Sequence, residues 1–121
     1  TLHAFVAELF QRAGMPAEDA RFYAWSLVQT NLWGIDSHGV LRTKVYVERV
    51  IKRAVNPRPN IHKERGALAF EVLHGDDGAG PVVAKAAMER AIALAGQFGV
   101  RCSRGGQLSV QAARRRYDLR R

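Results

Sequence analysis

At 121 residues, 47% of them hydrophobic, the chain has the length of one ordinary domain and enough apolar side chains for a core. It holds no run of about 18 uninterrupted apolar residues to cross a bilayer and no charged, apolar, small-residue order of a signal peptide, so a cytoplasmic protein without a membrane span is expected. Its one cysteine, Cys102, leaves no partner for an internal disulfide or a cysteine-built metal site.

Leu2, Phe5, Val6, Leu9, Phe10 and Ala13 recur at helical spacing, and Gly14 follows as a residue suited to leave a helix. Pro16 suits the first position of a second helix, with Glu18 and Asp19 placed well against its dipole. That helix carries Ala20, Tyr23, Ala24, Leu27 and Leu32 as far as Gly34. Asp36 or Ser37 can cap a third helix, whose apolar side runs through Val40, Leu41, Val45, Val47, Val50 and Ile51 to about Ala54. The prolines of "NPRPN" at 56–60 forbid helix. Beyond them Leu68, Phe70 and Val72 alternate with Ala67, Ala69 and Glu71, the period of a half-buried strand. "HGDDGAG" at 74–80 reads as a turn, and Pro81 opens a fourth helix. Its small face is Ala86, Ala87, Ala91 and Ala95, its bulk comes from Val83, Met88, Ile92 and Phe98, and Gly99 ends it. Val100 should begin a buried strand, because such a helix normally returns the chain to a sheet.

From there the hydrophobic pattern dissolves. Residues 1–100 hold twelve Lys and Arg against ten Asp and Glu, whereas residues 101–121 hold seven Arg and no Lys against Asp118, so most of the net charge of +8 belongs to the end of the chain. Arginine, glycine, serine and alanine are what GC-rich codons give out of frame, so a shifted reading frame after about Val100 is one origin for 101–121. The other is a basic tail, disordered by composition, on a short helical binding module that contacts nucleic acid or an acidic partner.

Chemistry concentrates in "WGIDSHGVLR", residues 33–42. On a helix His38 and Arg42, four apart, share one face and can reach a common ligand. Arg42 can grip a carboxylate with its planar fork, and His38 can pass a proton to a carbonyl oxygen, with Asp36 near enough to orient the ring. The same residues also make an ordinary helix start, in which Asp36 and Ser37 cap, Gly39 turns and His38 is merely exposed. Elsewhere the residues suggest little chemistry. "GDDGAG" lacks the spacing of a nucleotide loop, and Asp76 and Asp77 would repel phosphate. His3, His62 and His74 have no metal-ligand spacing and suit the surface, so no metal is expected. Trp25 and Trp33 suit a core or interface, and a lone "RGG" at 104–106 gives little support for specific nucleic-acid binding.

Taken in order, "AGMPAEDA", "TNLWGIDSHGVLR", "YVERV", "NPRP", "GDDGAG" and "VVAKAAMERAIALA" resemble the type 2 malate/L-lactate dehydrogenases, a family that includes ureidoglycolate dehydrogenases. The resemblance covers residues 1 to about 100. It implies an α/β fold of non-Rossmann type, of which this chain would hold a helical N-terminal portion and the start of a mixed sheet, incomplete. It also implies interconversion of 2-oxo and 2-hydroxy acids with NAD or NADP, and a homodimer. By position His38 falls on the family's acid/base histidine and Arg42 on its substrate-binding arginine, while the cofactor-binding residues stay unassigned. Arg53 stands where members often have glycine, and Pro81 where they commonly have glutamine. The family's cofactor-binding region lies beyond residue 100, so this chain alone is expected to be inactive.

Overall fold

The computed structural model describes residues 1–67, 70–98 and 102–106, the last through their backbone alone. They fall into two compact units, Thr1–Arg58 and Pro59–Arg121.

The first unit is helical: α1 (Leu2–Arg12), α2 (Ala17–Leu32) and α3 (Thr43–Ile51). Thr1 caps α1 by accepting the Ala4 amide on its hydroxyl. Val6, Ala7 and Phe10 of α1 pack with Ala20, Tyr23, Ala24 and Leu27 of α2, all buried. At the centre Phe10 stacks on Tyr23 with ring centroids 4.5 Å apart, and Tyr46 of α3 extends the stack at 5.7 Å. Burial pushes the Tyr23 phenol well above its ordinary range, and the neighbouring Tyr46 adds to the rise. Leu2 and Phe5, which share the helical spacing, are exposed, as are Leu32, Trp25 and Trp33. The two tryptophans therefore lie outside this core, and Trp25 stacks on Phe22 at 5.5 Å.

All three helices end the same way. Beyond α1 the Gly14 amide donates to the Gln11 carbonyl and that of Met15 to Phe10, and beyond α2 Gly34 donates to Asn31 and Ile35 to Thr30. This paired closure needs a left-handed residue just past the helix, and Gly14 and Gly34 supply it with φ of 109° and 77°. Beyond α3 the same position is Arg53 at φ 57°, whose amide donates to Val50 while that of Ala54 donates to Arg49. A side chain there costs energy that glycine does not incur. Arg53→Gly should accordingly raise the stability of the first unit by about 0.5–1 kcal/mol in urea denaturation, strain relief outweighing the added freedom of the unfolded chain. A loss of stability would show that the arginine is not strained.

The second unit is a mixed sheet with a helix. Strands β1 (His62–Ala67), β2 (Phe70–His74) and β3 (Cys102–Gly106) lie in that order, β1 antiparallel and β3 parallel to β2. The parallel return needs a long crossover, and α4 (Gly80–Phe98) provides it. Here the structure departs from the sequence expectation in three ways. Strand β1 was not foreseen: "HKERGA" is exposed at every position and has no apolar alternation, as suits an edge. Strand β2 does not alternate either, because Glu71, Val72 and Leu73 are all buried. Glu71 tolerates burial by accepting Arg90 Nη2 at 2.7 Å and Nε at 3.2 Å, with Lys63 Nζ 3.7 Å away, a charge-assisted fork that ties β2 to α4. Finally, β3 pairs with β2 over 102–106, inside the arginine-rich stretch. Leu68 and Ala69, residues 99–101, on which the expected helix end at Gly99 and strand start at Val100 fall, and residues 107–121 lie outside the described residues.

The 74–80 segment is the turn that its sequence suggests. Asp76 and Asp77 take φ of 49° and 51°, with the Gly78 amide donating to the Gly75 carbonyl at 2.9 Å, a conformation that aspartate tolerates better than most residues. The Asp76 carboxylate accepts the Asn60 amide at 2.8 Å, and the Asp76 amide donates to His74 Nδ1 at 3.1 Å.

Candidate active site

The segment from Gly34 to Thr43 does not begin a helix. Asp36–His38 and Val40–Arg42 are two separate 3₁₀ turns, and α3 starts only at Thr43. Neither Asp36 nor Ser37 caps it through a side chain. The expected i, i+4 face shared by His38 and Arg42 is therefore absent. Between them Gly39 is extended (φ −91°, ψ −146°) and separates the two turns.

Ser37 brings the two residues together instead. Its hydroxyl lies 2.9 Å from His38 Nδ1, and its carbonyl accepts Arg42 Nε at 2.9 Å. One residue thus holds the imidazole through its side chain and the guanidinium through its backbone. Both heads are exposed. Among the described residues His38 Nε2 and the two terminal nitrogens of Arg42 have no protein partner. The ring is oriented by Ser37 and not by Asp36, which is engaged elsewhere: its Oδ1 accepts Asn31 Nδ2 at 2.6 Å.

Asn31, in the last turn of α2, was not singled out by the sequence reading. Its Oδ1 also accepts the Val40 amide at 2.7 Å, so one side-chain amide grips the chain on both sides of Ser37, His38 and Gly39. The "N" of "TNLWG" carries no distinguishing signal, because the contacts that define it come from five and nine residues away.

The other candidate histidines have contacts of their own. His3 Nε2 bonds the Arg21 carbonyl at 3.0 Å. His62 and His74 stack across the β1–β2 pair at 5.0 Å. Among the described residues no three His, Cys, Asp or Glu side chains gather in a way that could hold a metal ion, and no helix is long and apolar enough to cross a membrane.

A model of the malate/L-lactate dehydrogenase family matches residues 1–104. The malate dehydrogenase of Pyrococcus horikoshii is 37% identical over 99 residues, which make up 82% of this chain and 28% of that protein. The NAD(+) ureidoglycolate dehydrogenase of Escherichia coli is 39% identical over 100 residues, 83% of this chain and 29% of its own length. Solved structures agree: the Pyrococcus horikoshii malate dehydrogenase superposes with a TM-score of 0.81 at 36% identity over 84% of this chain and 29% of that one. The sulfolactate dehydrogenase of Methanocaldococcus jannaschii does so with 0.75 at 35% identity over 78% and 28%. The chain thus spans under a third of the length of the relatives it matches. The four helices, β1, β2 and the His38–Arg42 segment all lie in the matched stretch, and the chain belongs to the malate/L-lactate dehydrogenase family.

Proposed function

We propose that residues 36–42 form the proton-transfer and carboxylate-binding half of a site that interconverts a 2-oxo acid and its 2-hydroxy acid. The observation that carries this reading is the double use of Ser37, which holds Arg42 by Nε alone and His38 by Nδ1 alone. Arg42 keeps its terminal nitrogens for a substrate carboxylate. His38 keeps Nε2 for the proton that passes to the carbonyl oxygen on reduction and returns from the hydroxyl on oxidation. This role needs the tautomer in which Nδ1–H donates to the Ser37 hydroxyl, a bond that suits both the charged ring and the neutral ring left after Nε2 gives up its proton.

The relative named as an NAD(+) enzyme supports NAD or NADP as the redox partner. The 75–78 turn does not fit its pyrophosphate. Its Asp76 and Gly78 amides are committed to His74 and Gly75, and its two carboxylates would repel the phosphates. The reading includes a homodimer acting in the cytoplasm, as the family resemblance implies, and exposed Leu32, Trp33, Ile35 and Leu41 around the segment suit a covering protein surface. It also holds that these 121 residues alone do not turn over substrate, supported by their short share of the relatives' length.

A chimera tests the site, with residues 1–98 of this chain replacing the matching stretch of the Pyrococcus horikoshii malate dehydrogenase. Arg42→Lys keeps the charge but loses the two-pronged geometry. It should raise KM for the 2-oxo acid by roughly tenfold or more and change kcat less. An unchanged KM would remove Arg42 from the substrate carboxylate.

A further inference from the structure

We infer that Asn31 is the positioning residue of this site: its side-chain amide clamps Asp36 and Val40 and so fixes the Ser37 seat on which both His38 and Arg42 hang. The inference rests on the functional reading above for its consequence, but its geometry stands independently.

Both ends of the amide are used. Nδ2 donates to Asp36 Oδ1 at 2.6 Å, and Oδ1 accepts the Val40 amide at 2.7 Å. The first bond runs to a carboxylate and is the stronger kind. The second satisfies a backbone amide at the start of the 3₁₀ turn that carries Arg42. Ser37, His38 and Gly39 lie between these two points, so the segment is held at both edges and His38 is free only at Nε2.

Gly39 corroborates the clamp. Its φ of −91° is not in the left-handed range, so a positive φ is not what calls for glycine here. Space does. A Cβ at this position would stand 2.0 Å from Asn31 Oδ1 and 2.5 Å from Cγ, and Gly39 is buried although its neighbours Ser37 and His38 are exposed. The glycine of "SHG" is thus the slot into which the Asn31 amide fits. That amide sits at the end of α2, and the Gly34 closure fixes where the chain leaves the helix. A rigid helix end thereby sets the place of two side chains that are otherwise exposed.

The clamp makes a specific demand on donors and acceptors. Asn31→Asp keeps the acceptor for Val40 but loses the donor and sets a second carboxylate against Asp36. Adding Asp36→Asn restores one donor and one acceptor across the same pair. The 121-residue chain can be compared as wild type, Asn31→Ala, Asn31→Asp and Asn31→Asp/Asp36→Asn by NMR. The readouts are hydrogen exchange at the Val40 amide and at Arg42 Nε–H, and the dissociation constant of pyruvate from shifts at His38 and Arg42. Loss of a charge-assisted bond should speed both exchange rates by about tenfold or more in Asn31→Ala and Asn31→Asp. The double variant should return to within about threefold of wild type, and pyruvate affinity should follow the same order. Exchange rates unchanged in Asn31→Asp overturn the inference. So does a double variant no better than Asn31→Asp, which would mean that Asn31 matters only to the end of α2. If wild type gives no pyruvate shifts while the exchange pattern holds, the functional reading fails and the clamp survives.

Discussion

Replacing Phe10 by alanine should cost about 3–5 kcal/mol of stability. Its side chain is fully buried, stacks on Tyr23 at 4.5 Å and joins α1 to α2 at the centre of the first unit. Removing the ring takes away both the burial and the stacked contact, and helix-bound neighbours can close the void only in part. A small domain has about 5–15 kcal/mol to lose, so a large share of the helical unit's margin would go. Urea denaturation followed by circular dichroism should show the transition of the first unit shifted far down, with Phe10→Leu keeping a larger share of the stability. A loss below about 1 kcal/mol for Phe10→Ala would mean that the α1–α2 contact is not tightly packed.

In the Pyrococcus horikoshii chimera, His38→Ala should lower kcat by about 100-fold to 10,000-fold, the range lost with a positioned general acid. That is about 2.7–5.5 kcal/mol of barrier. KM should move little, because the carboxylate grip belongs to Arg42, whose Nε bond to the Ser37 carbonyl does not involve the imidazole. The two variants thus separate: His38→Ala acts on kcat and Arg42→Lys on KM. Turnover within twofold of the parent chimera would take His38 out of proton transfer.

The helix ends at Gly14 and Gly34 were legible because the left-handed position past a helix favours glycine. The third such position was not, because Arg53 occupies it against that preference. Strand β1 was missed because an exposed edge strand needs no apolar period, and β2 was misread because Glu71, polar in sequence, is buried by its fork with Arg90. At the site the sequence put His38 and Arg42 on one face of a helix, whereas the structure places them on two 3₁₀ turns joined through Ser37. A cap-like "DS" before a run of apolar residues suggests a helix start. In the structure the Asp36 side chain is taken by Asn31 and the Val40 amide by the same residue, so the chain makes two 3₁₀ turns first. Local pattern cannot report a side chain that reaches across nine residues, and Asn31 was invisible for that reason.

The claim that Ser37 seats a paired proton donor and carboxylate grip is tested most directly by titrating the unmodified chain with pyruvate while following the His38 ring and the Arg42 guanidinium by NMR. The expected result is saturable shifts at both groups with one dissociation constant, abolished by Arg42→Ala and absent when acetone, which lacks the carboxylate, replaces pyruvate. Shifts confined to other residues, or equal shifts with acetone, would contradict it.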